Sequence, residues 1–424
     1  MTAPTDARPA LLVVYAPGSP APDNLLASLT GAVEPCFVML ADYTEAHVRD
    51  AFPEALCVES SAPETAVRWA QERAVAGITT YSELALPFTA ALAQLLGLAH
   101  HDPAAARAMT DKLEQRRRLA AAGVPTPRFA EIRSDDDIAP AAAAVGFPAV
   151  LKPRRGMGST LVTRVGDEHE LRAAVAAALQ HRAGDYRVRA AEPALQLEAE
   201  LRGGSWHDDE RFGDYVSVES LIDHGRIVHL TVTDKLPLVP SFREAGNVMP
   251  SSLAPGQQEA VRATATAALQ ALGAYHGAAH TEIKLCPDGP RVIEVNGRLG
   301  GGLEYPMRMS SGFDPVLAIA LLAVGRGTGE LPRFHRHAMN YWVPPPSGAH
   351  TVTAIHGLEQ VRAMDGVEHI AKLHGIGDRL DSRFGTDTVM IVLAAAAHGK
   401  ALLDLRDAVD ATLTIDYEPA PDPS

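Results

Sequence analysis

The sequence predicts a protein of the α/β (α+β) class, with a parallel βαβ sheet at the front of the chain and antiparallel sheets behind it. Residues 1 to about 100 alternate short apolar strands with helical segments, which indicates a parallel sheet with helices on its faces. At residues 280–298, two alternating segments flank a Pro-Asp-Gly turn, a pattern typical of an antiparallel hairpin.

The front part is predicted to hold four strands. These are Leu11–Tyr15, Cys36–Leu40, Ala55–Val58 and Gly77–Thr80, with helices near Leu25–Leu29, Thr65–Ala76 and Ser82–Leu96. No G-x-G-x-x-G pattern follows the first strand, which argues against a dinucleotide site there.

A long polar helix is predicted next, from Pro103 to Ala122, ending at Gly123. It carries the run Arg116–Arg118, and we interpret this run as a solvated helix face, because long charged side chains are mostly exposed.

The rest of the chain is richer in strands. We predict strands at Phe147–Pro153, Leu161–Val165, Leu195–Leu201, Val216–Leu221 and Ile227–Asp234, and helices at 168–181 and 255–274. After Pro332, Met339–Val343, Val352–His356 and Val389–Leu393 are predicted to form one final sheet, and the last ten residues are expected to be frayed.

Composition excludes some function classes. With 38 basic and 52 acidic residues the formal charge is −14, which argues against a nucleic-acid binder, because phosphate affinity requires clustered Lys and Arg. The three cysteines are far apart, which argues against a disulfide framework and fits a reducing cytoplasm. Leu11–Val14 is expected to be a strand and not a signal peptide, and no run approaches the roughly 20 apolar residues of a membrane span.

The hairpin at 280–298 has one polar face, because side chains alternate along a strand. His280, Glu282 and Lys284 share this face on the first strand, and Glu294, Asn296 and Arg298 share it on the return strand. With the turn centred on Asp288, Glu282 lies across from Glu294. Two facing carboxylates and an amide oxygen can bind a hard divalent cation, whereas the simpler alternative is a solvated strand face. The opposite, core-facing side is predicted to be Ile283, Leu285, Ile293 and Val295.

A glycine-rich loop lies between two predicted strands. It contains Gly156, Gly158 and Ser159, and Lys152 precedes it. Glycine lets backbone N–H groups approach an anion, so the loop could fold over a polyphosphate; the alternative is an ordinary hairpin loop. It is not a Walker A loop, because no Gly-Lys-Ser/Thr occurs in it.

Several separated motifs together resemble the ATP-grasp superfamily, over about residues 105–310. They are Thr110-Asp111-Lys112, Val150-Leu151-Lys152-Pro153 with the glycine loop, Glu198-Ala199-Glu200-Leu201, His280-Thr281-Glu282, and Ile293 to Arg298. Segments 214–219, 233–235 and 242–250 resemble, more narrowly, the ATP-grasp ligases that join L-amino acids into dipeptides. An insertion at 203–213 departs from the compact pattern of other members.

The resemblance implies an ATP-grasp fold in three parts. They are an N-terminal α/β domain at 1–104, a linker helix and small lid subdomain with the glycine loop at 105–197, and a C-terminal antiparallel-sheet domain at 198–424.

The resemblance also implies roles for individual residues. Glu282, Glu294 and Asn296 would bind Mg²⁺, for which Mn²⁺ can substitute. Lys112, Lys152, Gly156, Gly158, Ser159, Glu198, Leu201 and Glu219 would bind ATP, Glu219 being preferred over Asp214 and Glu210 for the ribose. Lys152 and Arg298 would be catalytic, and Glu244, Arg308, Gly301, Gly302 and His280 would bind substrate.

The activity implied is that of an ATP-dependent carbon–nitrogen ligase that couples a carboxylate to an amine through an acyl phosphate. Its partners would be small molecules, with amino acids expected, and a homodimer is a further expectation. The alternatives are a kinase or carboxylase of the same superfamily, or a non-catalytic nucleotide-binding regulator. His276 and His280 have i,i+4 spacing, but a strand begins between them, so no zinc pair is expected there.

Overall fold

The computed structural model describes residues 8–43, 49–181, 188, 194–240, 242–380 and 386–419. Its strands are β1 (Ala10–Tyr15), β2 (Glu34–Leu40), β3 (Leu56–Val58), β4 (Gly77–Thr80), β5 (Phe129–Ile132), β6 (Ala149–Pro153), β7 (Thr163–Val165), β8 (Leu195–Ala199), β9 (Tyr215–Asp223), β10 (Arg226–Lys235), β11 (Gly246–Met249), β12 (Gly277–Cys286), β13 (Gly289–Asn296), β14 (His337–Val343), β15 (Ala349–His356), β16 (Val367–Lys372), β17 (Met390–Ala396) and β18 (Thr414–Pro419).

The helices lie between these strands. They are α1 (Pro22–Leu29), α2 (Val67–Glu72), α3 (Leu86–Leu96), α4 (Pro103–Thr110), α5 (Lys112–Ala121), α6 (Ile138–Val145), α7 (Glu168–His181), α8 (Pro255–Leu272), α9 (Glu304–Ser311), α10 (Pro315–Ala323), α11 (Leu358–Arg362) and α12 (Gly399–Thr412).

The front sheet is parallel, with strand order β3-β2-β1-β4. Both of its faces are apolar, as expected for a parallel sheet covered on each side. Leu12 of β1 belongs to the core shared with α3, whereas Leu11 belongs to the core shared with Ile319 of α10. Because α10 comes late in the chain, this packing fixes the front sheet against the elements that follow the 280–298 hairpin.

The remaining sheets are antiparallel, as predicted. The small sheet has order β5-β8-β6-β7, and the large sheet has order β13-β12-β9-β10-β11-β14-β17-β16. The prediction of one final sheet is wrong in its pairing: β14 and β17 belong to the large sheet, whereas β15 pairs with β18 in a two-stranded sheet. The expectation of a frayed end is also wrong for residues 415–419, because Ile415 and Tyr417 pack against the same core as Val352. Residues 420–424 lie outside the part of the chain that the structure describes.

The predicted single helix from Pro103 to Ala122 is two helices that meet at Asp111. Asp111 has extended backbone angles and caps α5, its carboxylate accepting a hydrogen bond from Glu114 N at 3.1 Å. Aspartate favours N-caps because it competes for backbone N–H groups. The break redirects the chain, so that α5 lies along the edge of the large sheet.

Among the described residues, no helix is both long enough and apolar enough to cross a lipid bilayer.

Candidate active site

The 280–298 hairpin places Glu282 directly opposite Glu294, as the sequence predicted. The turn residues are Pro287 and Asp288, and a bulge between Glu282 and Ile283 leaves Ile293 as the extra residue on β13. The bulge decides the pairing, because a regular hairpin with this turn would place Ile293 opposite Glu282.

Because of this bulge, the core-facing side of the hairpin differs from the predicted one. Val292, not Ile293, is buried opposite Ile283, and Ile293 lines a cavity on the polar side of the sheet.

That cavity, of about 230 Å³, lies between the small sheet and the hairpin. Its walls include many of the predicted nucleotide-binding, metal-binding and substrate-binding residues. These are Lys112, Lys152, Gly156, Gly158, Ser159, Glu198, Leu201, Glu244, Glu282, Glu294, Asn296 and Arg298. The structure therefore brings them together, whereas the role of each residue remains a prediction.

Arg116 corrects the interpretation of the arginine run. Arg117 is half-exposed, but Arg116 is 1% exposed and makes a two-pronged ion pair with Glu198, at 2.7 and 3.2 Å. Its other N–H groups donate to the carbonyl oxygens of Val292 and Ile293 at the bulge. Since β13 is the edge strand of the large sheet, Arg116 satisfies backbone groups that would otherwise lack a partner.

Gln115 also satisfies backbone groups of the edge strand β13, at a point further along the strand. Its side-chain amide donates to Val295 O at 2.9 Å and accepts from Val295 N at 2.8 Å. Together, Gln115 and Arg116 fix the stretch of β13 that carries Glu294.

Glu198 and Lys152 form a buried ion pair, 2.9 Å apart, on the small sheet. Burial alone would raise the pKa of Glu198, but Arg116 and Lys152 outweigh it and lower that pKa to about 2. Burial lowers the pKa of the Lys152 ammonium. Glu198 therefore stays ionised and holds the lysine at the cavity wall.

Lys112 stands at the opposite wall. Its Nζ lies 3.3 Å from Glu294 Oε1 and donates to Gly156 O at 2.8 Å. Although burial acts to lower its pKa, the neighbouring Glu294 and Glu83 raise it above the ordinary lysine value. Asp111 positions this lysine, because its carboxylate accepts from Arg154 Nε at 2.7 Å while Lys112 N donates to Arg154 O at 2.9 Å.

Sequence reasoning missed Glu83. This residue follows β4 of the front sheet, is 5% exposed and lines the cavity. The Asn296 amide, with its nitrogen turned toward the carboxylates, donates to Glu83 Oε2 at 2.6 Å and to Glu294 Oε1 at 3.0 Å. Burial raises the pKa of Glu83 to about 7. Its position just past the carboxyl end of a parallel strand was the available signal, because ligands of α/β sheets bind at that edge.

His280 lies between two carboxylates on the first hairpin strand. Its Nδ1 is 2.7 Å from Glu219 Oε1 and its Nε2 is 3.2 Å from Glu282 Oε1. Burial opposes the charged imidazole, but Glu219 outweighs it and raises the pKa of His280. In the same way burial would raise the pKa of Glu282, but the hydrogen bond from His280 lowers it to about 2. His280 therefore orients a predicted metal ligand.

Two residues with predicted binding roles lie outside the cavity wall. They are His280 and Glu219. The carboxylate of Glu219 is fully buried and accepts from Gly300 N at 3.2 Å as well as bonding to His280. The ribose role of Glu219 and the substrate contact of His280 stay predictions, and in this structure the two side chains are paired with each other beneath the site.

The donor atoms at the paired strands suit a hard cation. Glu282 and Glu294 offer carboxylate oxygens, and Asn296 can offer its amide oxygen after rotation of the amide group. Mg²⁺ prefers such oxygen ligands and leaves positions for phosphate oxygens. The residues present therefore fit a magnesium ion, with Glu83 as a further nearby carboxylate.

The glycine loop lies over the cavity. Gly158 has a positive φ angle of 64°, which a glycine adopts without strain, and Ser159 has one of 54°, which is uncommon for other residues. The loop is anchored on two sides: Thr386 N donates to Gly158 O at 2.8 Å, and the Met157 side chain fills the space beside Gly18 of the front sheet. The loop therefore contacts a segment near the start of the chain, at Gly18, and a segment late in the chain, at Thr386.

The predicted substrate residues separate into two groups. Glu244 lines the cavity and forms an ion pair with buried Lys235, at 2.9 Å. Gly301 and Gly302 instead line a neighbouring cavity of about 160 Å³, shared with Tyr81 and Glu304.

Arg308 lines neither cavity. It forms an ion pair with Asp314 at 3.0 Å and donates to Ser28 Oγ of α1. In this structure its guanidinium joins α9 to α1, and its contact with a substrate carboxylate stays a prediction.

Comparison with known protein families gives a match for the middle of the chain. Residues 145–306, from the small sheet through the paired carboxylates, match the family described as "ATP-grasp domain". The predicted fold is confirmed.

Two curated proteins are similar to this chain in sequence. The chain is 36% identical over 195 residues to carnosine synthase 1 of Gallus gallus, an alignment that covers 44% of this chain and 20% of that protein. It is 29% identical over 258 residues to alanine–anticapsin ligase of Bacillus subtilis (strain 168), covering 58% of this chain and 53% of that protein. The chain thus spans about a fifth and about half the length of these two relatives.

A solved structure matches nearly the whole chain. The L-amino acid ligase from Bacillus licheniformis superposes with a TM-score of 0.80 at 25% identity, covering 98% of this chain and 100% of that one. The predicted resemblance to L-amino acid ligases is confirmed as a similarity.

Proposed function

We propose that the protein is an ATP-dependent carbon–nitrogen ligase. It would activate the carboxylate of an amino acid and couple it to the amine of a second amino acid, giving a dipeptide or amide with ADP and phosphate. One observation carries the proposal: Lys112 and Lys152 face the paired carboxylates Glu282 and Glu294 in one cavity, beneath a glycine loop. The similarity to an L-amino acid ligase over both whole chains supports the substrate class.

In this proposal the substrate carboxylate attacks the γ-phosphate of ATP, forming an acyl phosphate and ADP. The amine then attacks the acyl carbon, and phosphate leaves. No protein nucleophile is needed, so positioning and charge stabilisation supply most of the rate.

Each group of residues at the cavity has a proposed role in this reaction. Lys112 and Lys152 contact phosphate oxygens, the N–H groups of Gly156, Gly158 and Ser159 cover the polyphosphate, and Leu201 contacts the adenine. Mg²⁺, or Mn²⁺ in its place, held by Glu282, Glu294 and Asn296, would neutralise charge on the phosphates. Arg298 stabilises the transferred phosphoryl group, because guanidinium binds phosphate in a fixed geometry.

Substrate binding is assigned to the ends of the site. Glu244 binds a substrate amine at the cavity. Gly301 and Gly302 line the second cavity, where their backbone N–H groups would donate hydrogen bonds to a carboxylate oxygen.

The test is a panel of amino-acid pairs with ATP and Mg²⁺, scored for ADP, free phosphate and coupled product by mass. We expect phosphate and product in equal amounts, and only when both amino acids are present. ADP without phosphate would indicate a kinase, and nucleotide binding without either product would indicate a regulator; both would overturn the proposal.

Glu294→Ala is the matched test of the site. Because Glu294 carries half of the paired carboxylates, we expect its loss to lower the coupling rate by at least ~10²-fold. Glu259→Ala, an exposed glutamate on α8, should leave the rate unchanged. Equal rates in the two variants would contradict the assignment.

Three further proposals accompany this function. The division at 1–104, 105–197 and 198–424 follows the three main sheets, although β8 crosses the second boundary. A cytoplasmic location accords with three cysteines that form no disulfide. The third proposal is that two copies of this chain form a homodimer.

A further inference from the structure

A second cluster of ligand-type side chains lies at the far end of the large sheet. Asp223 is the last residue of β9, His224 is the first residue of the turn into β10, and His276 immediately precedes β12. Gly277 pairs with Ile222, so the two chain segments meet side by side here. Along β12, His276 is four residues from His280, about 13 Å at the rise of an extended strand. The cluster is therefore separate from the cavity.

The three side chains converge on one point. One ligand atom from each lies within 4.8 Å of the others. His276 Nδ1 is 3.6 Å from Asp223 Oδ1, and His224 Nδ1 is 2.8 Å from the same oxygen. A separation of 3.6 Å is too long for a hydrogen bond. It is close to the ~3.3 Å between two ligand atoms of a tetrahedral ion with bonds of about 2.0–2.1 Å.

His276 is the observation that points to a ligand. It is 2% exposed, and neither of its ring nitrogens has a hydrogen-bond partner among the described residues. The carbonyl of Leu322 lies near the ring, outside hydrogen-bond geometry. Buried polar groups in folded proteins are nearly always hydrogen-bonded. The nitrogens of this imidazole have no such partner among the described residues, and a bound ligand would supply one.

The backbone around the cluster is already fixed. Gly225 N donates to Tyr275 O at 2.7 Å, which ties the β9–β10 turn to the segment that carries His276. His101 Nδ1 accepts from Tyr275 N at 3.1 Å. The positive φ of His224, 49°, turns its side chain back toward Asp223, and histidine is one of the residues that tolerate this conformation. Little rearrangement is needed to bring the three ligand atoms around an ion.

We propose that Asp223, His224 and His276 form a binding site for a borderline divalent transition-metal ion of the Zn²⁺ class. Two imidazole nitrogens and one carboxylate oxygen suit Zn²⁺, Ni²⁺ or Cu²⁺, whereas Mg²⁺ prefers oxygen ligands alone. The side chain of His224 is 58% exposed, which leaves an entry path and a coordination position for water. A bound ion would join the β9–β10 turn to the start of β12.

The test uses the full chain, freed of metal with EDTA and returned to buffer with millimolar Mg²⁺, which occupies the oxygen-lined cavity. Zn²⁺ is then titrated in competition with a chromophoric chelator. We expect the wild-type protein to bind one equivalent of Zn²⁺ that His224→Ala and Asp223→Asn bind at least tenfold more weakly. Both changes lie at an exposed turn, so the variants should fold, and circular dichroism checks this.

His356→Ala is the matched control, because His356 forms an exposed pair with Asp416, at 3.5 Å, far along the chain. It should bind Zn²⁺ as the wild-type protein does. Zn²⁺ should also raise the melting temperature of the wild-type protein and the control more than that of His224→Ala. Equal Zn²⁺ affinity in the wild-type protein and the two turn variants, or no Zn²⁺ binding in the presence of Mg²⁺, would overturn the proposal.

Discussion

Glu83 brings a carboxylate of the front sheet to the polar face of the hairpin. It lies beside Glu294 and Asn296, and Arg298 Nη2 is 3.5 Å from its carboxylate. Burial of this carboxyl raises its pKa to about 7. In the metal-free protein, Glu83 therefore exchanges its proton near neutral pH.

A pH dependence of stability follows from Glu83. A carboxyl whose folded pKa is about 7, against an ordinary 4.5, binds its proton more tightly in the folded chain. Stability is therefore lost as pH rises from 4.5 to 7, by up to about 3 kcal/mol.

Glu83→Gln should remove this loss. With EDTA present, the free energy of unfolding by urea should fall less between pH 5 and pH 8 in this variant than in the wild-type protein. Glu64→Gln, an exposed residue of the same front part, should behave like the wild-type protein. An unchanged pH slope in Glu83→Gln would contradict the raised pKa.

Arg116 is the second residue whose environment sets its effect. Arg116→Met leaves Glu198 without one of its two cations and frees the bulge carbonyls of β13. Removing one partner of a buried ion pair costs about 3–5 kcal/mol, and urea unfolding measures it.

The neighbouring Arg117→Met is the control, because Arg117 is half-exposed and makes a long contact of 3.5 Å with Glu131. We expect a change within about 0.5 kcal/mol. Similar losses in the two variants would show that Arg116 is not structurally distinct from the rest of the run.

These residues show where sequence reasoning was sufficient. Alternation put Glu282 and Glu294 on the polar face because side-chain period is a local property of strands. Their direct pairing depends on the bulge between Glu282 and Ile283, which alternation does not predict. Arg116 could not be separated from Arg117 and Arg118, because which of three arginines is buried depends on the distant Glu198. Glu83 carried one signal, its position just past a parallel strand, but the sequence does not tell which distant residues that end of the strand faces.

At the scale of elements, the meeting of α4 and α5 controls the cavity. Asp102 and Asp111 cap these two helices by the same kind of hydrogen bond, to Ala104 N at 2.7 Å and to Glu114 N at 3.1 Å. Only Asp111 also holds Arg154, next to the glycine loop.

This difference makes a matched pair of variants. Asp102→Ala and Asp111→Ala should each lose about 1 kcal/mol from the missing cap. Only Asp111→Ala should also weaken ATP binding, because it releases Arg154 and with it the backbone contact of Lys112. Calorimetric titration with a non-hydrolysable ATP analogue and Mg²⁺ measures the affinity, and equal affinities would refute this link.

Elements with a strong local pattern were predicted well, and those set by pairing partners were not. The strand at Gly77–Thr80 has the predicted bounds. The partner of β15 was not predictable, because β18 lies about sixty residues later. The sequence of a short strand does not indicate which strand it pairs with. The break at Asp111 was also missed, since the helical pattern continues across it.

At the scale of the whole molecule, three sheets meet around one cavity. The segment after β4 of the front sheet contributes Glu83, and the small sheet contributes Lys152 and Glu198. The large sheet contributes Glu282 and Glu294, and Arg298 follows its strand β13. A carboxylate–amine ligase needs this convergence, because nucleotide, metal and two substrates must lie within bonding distance of each other.

The route of one oxygen atom tests the central claim most directly. If the substrate carboxylate attacks the γ-phosphate, its attacking oxygen stays on phosphorus when the amine displaces phosphate. With a substrate pair identified, the acyl-donor amino acid is labelled with ¹⁸O in its carboxylate and the released phosphate is analysed by mass. The account predicts one ¹⁸O atom in each phosphate released with a coupled product. Phosphate without label, in reactions that form the coupled product, would contradict it.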